Sequence, residues 1–152
     1  MFAQIGAAEH GHPALENVID LCGKTDHRQL IRLVYHATGV LTGVSYPMHL
    51  AAAVPRPPWM VGLRPCVVVA GGREPAHWEQ YPGHRFLHTI GALSCCATGG
   101  CWKSRTLPLG DGDHKDRDLC LQPQAGHSRC MWLISPRDAI SDIEQNFWLG
   151  QG

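Results

Sequence analysis

The sequence predicts a parallel α/β fold, and three observations support that prediction. Short apolar runs recur along the first two thirds of the 152-residue chain, and glycine or another turn residue closes most of them. Segments of helical length or periodicity separate several of these runs, as the crossovers of a parallel sheet require. One run, residues 65–70, is apolar on both faces, which is typical of a strand buried inside such a sheet.

The strands and helices follow from local patterns. Five strands are predicted, at residues 2–6, 17–21, 39–44, 65–70 and 85–89. A helix is expected over residues 26–37 with Thr25 as its N-cap. Its apolar positions recur at the helical i, i+3, i+4, i+7 spacing: Leu30, Leu33, Val34 and Ala37. Pro47 predicts a short second helix over residues 48–54, because proline suits the first helical turn.

A last helix is expected after residue 134. Ser135 is a good N-cap, Pro136 fits the first turn, and Asp138 stands where a capping-box acid belongs. Its apolar face is predicted to consist of three residues: Ile140, Ile143 and Phe147.

Composition and charge exclude several functional classes. Lys+Arg and Asp+Glu both number 13, so the chain lacks the basic surplus of a nucleic-acid-binding module. No apolar run approaches about 18 residues, so we expect no membrane span. The N-terminus has neither the charged nor the apolar stretch of a signal peptide. We therefore expect a cytoplasmic protein that binds no nucleic acid.

Loops at the carboxyl ends of parallel strands are the expected ligand-binding positions. Four loops qualify: residues 6–10, 23–25, 43–46 and 71–74. Lys24 and Thr25 precede a predicted helix, where a cation and a hydroxyl suit a phosphate. The segment is not a P-loop, because Val18 stands where that motif needs glycine. A capped turn with an exposed Lys24 is the alternative.

The other two loops carry further candidates. Ser45 could donate a hydrogen bond to an anion at a helix start, and His49 is either a ligand or a structural residue there. Arg73 is a good phosphate partner, or else it forms a surface pair with Glu74.

Two aromatic residues stand near the last of these loops. We interpret Trp78 and Tyr81 as packing residues, with base stacking as the alternative.

Seven cysteines cannot all pair within one chain. Cys22 and Cys66 stand beside apolar runs and are predicted to be small buried hydrophobic residues. The other five fall within 36 residues, in a stretch rich in glycine and aspartate.

That cluster predicts a metal site. Four soft thiolate ligands suit a tetrahedral structural centre of iron or zinc, with no open position for substrate. The favoured ligands are Cys96, Cys101, Cys120 and Cys130, with Cys95 as a substitute for Cys96. Three histidines could stand in: His88, His114 and His127. A redox pair and unliganded thiols remain open.

Several segments, in this order, resemble glycosyltransferase family 9, the ADP-heptose:lipopolysaccharide heptosyltransferase-like proteins. They are residues 18–26, 29–33, 39–41 and 48–53. The resemblance covers about residues 2–93. Residues 95–102 resemble the cysteine metal finger of autotransporter heptosyltransferases, in which the metal is iron.

The resemblance implies a Rossmann-like parallel sheet, the C-terminal donor-binding half of a GT-B fold, with an irregular Cys-rich insertion. Residues 1–93 would bind the nucleotide sugar, 94–131 would form the metal finger, and 132–152 would hold a helix that packs back on the domain. Donor-binding residues would be Lys24, Thr25, Ser45, Met48, His49, Arg73 and Glu74, with a donor such as ADP-heptose.

The resemblance also implies a reaction and a partner. The sugar would pass to a lipopolysaccharide or protein acceptor once an N-terminal acceptor domain, expected to be missing here, supplies the acceptor site and the catalytic base. No catalytic residue is therefore assigned to this chain. The alternative is a non-catalytic, metal-stabilised binding module.

Overall fold

The chain forms a mixed α/β structure with two separate parallel sheets. The computed structural model describes residues 1–9, 13–106 and 118–148. The first sheet pairs two short strands, and the central sheet has the order β3-β4-β5. A two-stranded antiparallel ribbon lies near the C-terminal end. The strands are β1 (Ala3–Gln4), β2 (Ile19–Asp20), β3 (Val40–Gly43), β4 (Cys66–Gly71), β5 (His84–His88), β6 (Pro123–Gln124) and β7 (His127–Ser128).

All five predicted strands exist, and the three pairings among them, β1–β2, β3–β4 and β4–β5, are parallel. The first two strands are shorter than predicted and form a sheet of their own, separate from the central one. Both residues of β2 are exposed, so this strand has no buried apolar face of the kind that stabilises longer parallel strands. The ribbon β6–β7 was not predicted, since its two-residue strands carry no apolar alternation.

Helices connect and cover the strands. They are α1 (His27–His36), α2 (Tyr46–Ala53), α3 (Ala76–Glu79), α4 (Arg129–Trp132) and α5 (Pro136–Ile143), and a π-helical turn (Glu144–Trp148) extends the last one. A 3₁₀ turn spans Ser94–Cys96. In the part of the chain that the structure describes, no helix has the length and apolar character needed to cross a membrane.

The N-cap of α1 is Asp26, so the prediction of Thr25 was wrong by one residue. The Asp26 side chain accepts a hydrogen bond from the Gln29 amide at 2.8 Å, and the Gln29 side chain accepts one from the Asp26 amide at 2.8 Å. This reciprocal capping box needs Gln29 three residues after the cap, which selects Asp26. The predicted capping box of α5, between Ser135 and Asp138, is confirmed.

The core lies on both faces of the central sheet. On one face, Met48 and Ala51 of α2 pack against Cys66 and Val68 of β4. On the other face, two residues from the C-terminal helical segment, Ile143 and Phe147, pack against Val67.

Two predictions about buried side chains need correction. Ile140 of α5 is largely exposed, so its place on the predicted apolar face was wrong. Cys66 is fully buried as predicted, whereas Cys22 is only half-buried.

A buried arginine closes the end of the core where α1 and α2 terminate. Arg64 is only 4% exposed, and its guanidinium donates hydrogen bonds to main-chain carbonyls of both helix ends. The acceptors are Tyr35, Ala37, Ala51, Val54 and Pro55. Burial lowers the pKa of Arg64, followed by the charge of Arg56. The cation thus satisfies carbonyls that helix geometry leaves without partners.

Candidate functional site

A cavity of about 280 Å³ lies at the carboxyl ends of β3 and β4. Gly43 and Val44 contribute from the end of β3, and Gly72 and Arg73 contribute from the loop after β4. The described parts of the cysteine segment (residues 94–131), which are 94–106 and 118–131, supply most of the remaining lining. This is the edge at which parallel α/β sheets bind ligands.

The charged side chains among the described lining residues of the cavity are all cationic. Three cationic side chains line it, those of Arg73, Lys103 and Arg105, and none of its lining residues in the described part of the chain is Asp or Glu. Arg73 forms an ion pair with Glu74 at 3.2 Å on the surface beside the cavity. The predicted surface pair of Arg73 with Glu74 is therefore present, and phosphate binding by Arg73 stays a prediction. Clustered cations beside low-dielectric walls attract anions.

The start of α2 follows directly from the cavity lining. Ser45 is the N-cap residue, but its hydroxyl makes no hydrogen bond to the helix. It lies 3.0 Å from the Thr42 hydroxyl and donates to the Gly43 carbonyl at 3.4 Å. The N–H groups of the first turn therefore have no side-chain cap. The positive end of the helix dipole comes directly after two lining residues, Gly43 and Val44. Met48 is fully buried and holds α2 on the sheet.

Lys24 and Thr25 lie in a neighbouring loop and are not among the described cavity-lining residues. The Lys24 ammonium donates to the main-chain oxygen and to the carboxylate of Asp20, both at 2.9 Å. The loop after β2 contacts the loop after β1, since the Gly23 amide donates to the Gly6 carbonyl at 2.9 Å. His10, at the end of that loop, falls outside the described residues.

An aromatic contact joins this neighbouring loop to the start of α2. The rings of His27 and Tyr46 meet edge-on, with centroids 5.7 Å apart. The starts of α1 and α2 are therefore adjacent. The structure brings the four predicted loops together as two pairs, 6–9 with 23–25, and 43–46 with 71–74 around the cavity.

His49 takes part in an aromatic cluster. Its Nδ1 lies 2.9 Å from the Tyr81 hydroxyl, and the two rings meet edge-on. Tyr81 also packs edge-on against His84, with ring centroids 5.3 Å apart. His84 is buried, and neither ring nitrogen has a hydrogen-bond partner. Burial, followed by the charge of His49, lowers the pKa of His84, so its ring is neutral at neutral pH.

Four cysteines line the same cavity: Cys95, Cys101, Cys120 and Cys130. Separate main-chain contacts position three of them. The Cys101 amide donates to the Gly72 carbonyl at 3.1 Å, and the Cys120 amide donates to the Arg105 carbonyl at 2.7 Å. The Thr89 hydroxyl donates to the Cys130 carbonyl at 3.1 Å. Segments distant in sequence therefore meet at one wall.

The pKa of Cys95 also reports this proximity. Burial raises the pKa of its thiol, and the neighbouring thiols raise it further: Cys96, Cys101 and Cys120. Cys96 itself is fully buried, and its thiol faces the carbonyls of Thr89 and Leu93 at 3.4 and 3.3 Å. The structure thus places Cys95, rather than Cys96, among the lining residues.

All seven cysteines are free. Within residues 1–9, 13–106 and 118–148, no group of three or more His, Cys, Asp or Glu side chains is arranged to hold a metal ion. The four cysteines therefore share a cavity without reaching ligand geometry, and the predicted metal site stays a prediction. Of the substitute ligands, His114 lies outside the described residues.

Lys103 and Arg105 are cavity residues that were not predicted from the sequence. The only sequence signal was that two basic residues occur at alternate positions, 103 and 105, after the Gly-Gly-Cys segment 99–101. That pattern does not show which way a loop faces, so the tertiary contact was needed.

Comparison with known families gives a match in the N-terminal part of the chain. Residues 6–63 match the family model of glycosyltransferase family 9 (heptosyltransferase). The match contains β2, α1, β3, α2 and three of the four predicted loops, but it ends before β4 and covers less than half of the chain. No curated protein and no solved structure matches the chain. The predicted resemblance is confirmed over residues 6–63, which are similar to glycosyltransferase family 9, and this similarity supports a glycosyltransferase-type function.

Proposed function

We propose that this chain is the nucleotide-sugar donor-binding part of a family 9-type glycosyltransferase with a Rossmann-like, GT-B-type sheet. One observation carries the proposal: a cationic cavity lies at the carboxyl ends of β3 and β4, beside the segment that matches the family. A sugar nucleotide carries its negative charge on the diphosphate. Arginine and lysine bind phosphate oxygens through charge-assisted hydrogen bonds.

Side chains and main-chain groups around the cavity would both contact a diphosphate. Arg73 and Lys103 would pair with phosphate oxygens, with Glu74 fixing the Arg73 side chain. The uncapped start of α2 would offer main-chain N–H groups, and Ser45 would orient that turn. The cavity volume, about 280 Å³, lies just below the range of about 300–1,000 Å³ typical of ligand sites, so part of the donor would lie outside it.

The same cations would assist the chemical step. Sugar transfer breaks the bond between the anomeric carbon and the diphosphate, and negative charge grows on the departing oxygen. Cations already in place stabilise that charge without reorganising. An acceptor domain outside this chain would bring the lipopolysaccharide or protein hydroxyl and the base that removes its proton. The odd cysteine count suits a reducing compartment, so we place this reaction in the cytoplasm.

Remaining donor-site candidates have narrower roles in this proposal. Met48 fixes α2 from within the core. His49 is held by Tyr81, and Lys24 by Asp20. The His27–Tyr46 contact makes the starts of α1 and α2 adjacent. Lys24 and Thr25, just before α1, would therefore contact the donor from the adjacent loop.

Calorimetric titration with ADP and ADP-heptose tests the donor site. Arg73→Gln and Lys103→Gln should each weaken binding of both ligands about tenfold, because each variant removes one charged contact to phosphate. Arg137→Gln, an exposed arginine of α5, is the matched control and should bind like the unmodified protein. An absence of measurable heat with ADP would contradict the proposal.

The cysteine wall favours a second candidate, a metal-stabilised binding module without catalysis. Cys101, Cys120 and Cys130, with Cys95 or Cys96, supply the soft donor set that iron and zinc accept. Such a metal would act as a crosslink inside the cysteine segment. The shared cavity supports this set, and Cys95 fits it better than Cys96, whose thiol faces main-chain carbonyls.

Metal analysis of the purified protein tests the metal site of this second candidate. Cys101→Ser and Cys120→Ser should each lower the bound iron or zinc severalfold, whereas Cys22→Ser, outside the cavity, should leave it unchanged. Comparison of Cys95→Ser with Cys96→Ser identifies the fourth ligand. Unchanged metal content in both Cys101→Ser and Cys120→Ser would refute the site. Metal loss with intact ADP binding would show that donor recognition does not depend on the metal.

A further inference from the structure

Two tryptophan rings stand together in water near the rim of the cavity. Trp78 of α3 and Trp102 are 66% and 48% exposed, and their ring centroids are 5.0 Å apart at an interplanar angle of 61°. The sequence suggested that Trp78 is a packing residue, but no core covers it. Paired exposed indoles leave a large apolar surface in water. Contiguous exposed apolar surfaces of this kind indicate binding sites.

The backbone fixes where Trp102 stands. Its neighbours, Cys101 and Lys103, both line the cavity. The Trp102 amide donates to the Arg73 carbonyl at 3.0 Å, so the ring is anchored beside a cation of the proposed diphosphate site. A ligand group on this surface would therefore lie next to an anion held by Arg73 and Lys103.

The conformation of Trp102 is also unusual. Its φ is +58°, in the left-handed region that bulky side chains rarely adopt. Residues held in such conformations concentrate at functional sites, where the surrounding contacts enforce them. Here the two amide contacts of residues 101 and 102 with Gly72 and Arg73 enforce it. The backbone at Trp102 is thus held in a strained conformation, and its indole ring is exposed to solvent.

We propose that Trp78 and Trp102 form a platform for the apolar face of a pyranose ring. The inference rests on the proposed donor site, because the sugar would lie beside the phosphate bound there. The C–H groups on one face of a pyranose pack against an indole face. A flat nucleobase would favour two parallel faces, and the 61° angle between these rings does not provide them. The ring could belong to the donor sugar or to an acceptor glycan.

Calorimetric titrations with three probes test the platform: ADP, ADP-heptose and the delipidated core oligosaccharide of lipopolysaccharide. Trp78→Ala and Trp102→Gly remove one ring each. Trp59→Ala is the matched control, because it removes a 69% exposed ring that follows the proline-rich residues 55–58. Both platform variants should keep ADP affinity within twofold and weaken one sugar-bearing probe about five- to tenfold. ADP-heptose would identify the donor sugar, and the oligosaccharide would identify an acceptor glycan.

Thermal unfolding separates binding from folding in these variants. Trp102→Gly should not lower the melting temperature, because glycine adopts positive φ without strain. A large drop in melting temperature together with lost sugar binding would mean that Trp102 acts through folding, and would overturn the proposal unless Trp78→Ala alone weakens the sugar probe.

The remaining outcomes are also decisive. Equal weakening of ADP and ADP-heptose would assign the rings to the nucleobase and overturn the sugar platform. Unchanged binding of all probes, or no binding of any probe by the unmodified protein, would overturn it as well. If the protein binds no ADP but binds the oligosaccharide through both tryptophans, the donor-site proposal fails and the platform stands.

Discussion

The central sheet and the cysteine segment are held together in different ways. In the sheet, Cys66, Val67 and Val68 of β4 are fully buried between helices on the two faces. In the described parts of the cysteine segment, residues 94–106 and 118–131, Cys96 is the one buried residue. Main-chain hydrogen bonds tie that segment to the sheet at Gly72 and Arg73. Apolar burial therefore stabilises the sheet, whereas a few polar contacts hold the segment in place.

This difference matters because the cavity needs both regions. Gly43 and Val44 come from the sheet, while Lys103, Arg105 and the lining cysteines come from the segment. Few buried apolar contacts imply a low free energy for local opening. The segment should therefore open without unfolding the sheet, and the site should be lost before the fold is.

The largest effect is expected from Arg64→Met, which tests the stability of the sheet region. The methionine fills the space but leaves the carbonyl oxygens of two helix ends buried without donors. We expect a loss of about 3 kcal/mol in the free energy of unfolding, measured by urea denaturation. Arg85→Met is the control, since Arg85 is exposed and pairs with Asp142 at 3.6 Å, and it should cost less than about 1 kcal/mol. Equal losses in both variants would show that Arg64 contributes no more than a surface charge.

Gly100→Ala tests the anchoring of the cysteine segment. Gly100 has φ +137°, and an added Cβ would lie 2.7 Å from the Arg73 carbonyl oxygen. Gly99 has φ +112°, but an added Cβ there would meet nothing within 4 Å. Gly99→Ala therefore controls for backbone strain, and the difference between the two variants isolates the clash.

The readout of this pair is the labelling rate of Cys101 by a thiol reagent. Overpacking typically costs about 1–3 kcal/mol, so Cys101 should react about tenfold faster in Gly100→Ala than in Gly99→Ala. The urea midpoint should shift less than the labelling rate, because the sheet stays folded. Similar labelling in both variants would mean that the contact with Arg73 does not hold the segment.

Local sequence signals predicted the elements whose cause is local. The all-apolar run of β4 and the Ser135–Asp138 capping box of α5 both appear in the structure where they were expected. The boundaries that failed depend on finer geometry. Thr25 and Asp26 are both acceptable caps, and only the side chain three residues further on decides between them.

The rest of the site depends on contacts between distant parts of the chain. Arg64 is an ordinary loop residue in the sequence, and only the meeting of two helix ends makes it a core residue. Lys103 lines the cavity and Trp102 lies near its rim because the loop after β4 binds their segment through main-chain groups, which no side-chain pattern encodes.

Asp26→Ala and Thr25→Ala measure a smaller effect at the edge of the sheet region. Loss of the Asp26 cap should lower the free energy of unfolding by about 1 kcal/mol, because the Gln29 amide loses its acceptor. Thr25→Ala should change it by less than about 0.5 kcal/mol. Urea denaturation of both variants provides the comparison, and a larger loss in Thr25→Ala would reverse the assignment of the cap.

The smallest effect is expected from the ion pair between Asp20, the last residue of β2, and Lys24, which is exposed and lies outside the cavity lining. A hydrogen bond from Lys24, followed by one from the Cys22 amide, lowers the pKa of Asp20 from 3.8 to about 2. Above pH 3.8 the carboxylate is ionised in both the folded and the unfolded chain, and its contribution to stability is fully present. As pH falls from 3.8 towards 2 the unfolded chain takes up the proton first, so that contribution is lost.

Carboxyl NMR shifts of Asp20 across this pH range test the ion pair directly. Lys24→Met should raise the pKa of Asp20 towards its usual value, because the variant removes the principal hydrogen bond. Lys103→Met, at the cavity, should leave the Asp20 titration unchanged. The global melting temperature should hardly move in Lys24→Met, since exposed ion pairs contribute little. A large thermal destabilisation would instead show that β1 and β2 carry stability that the central sheet was inferred to hold.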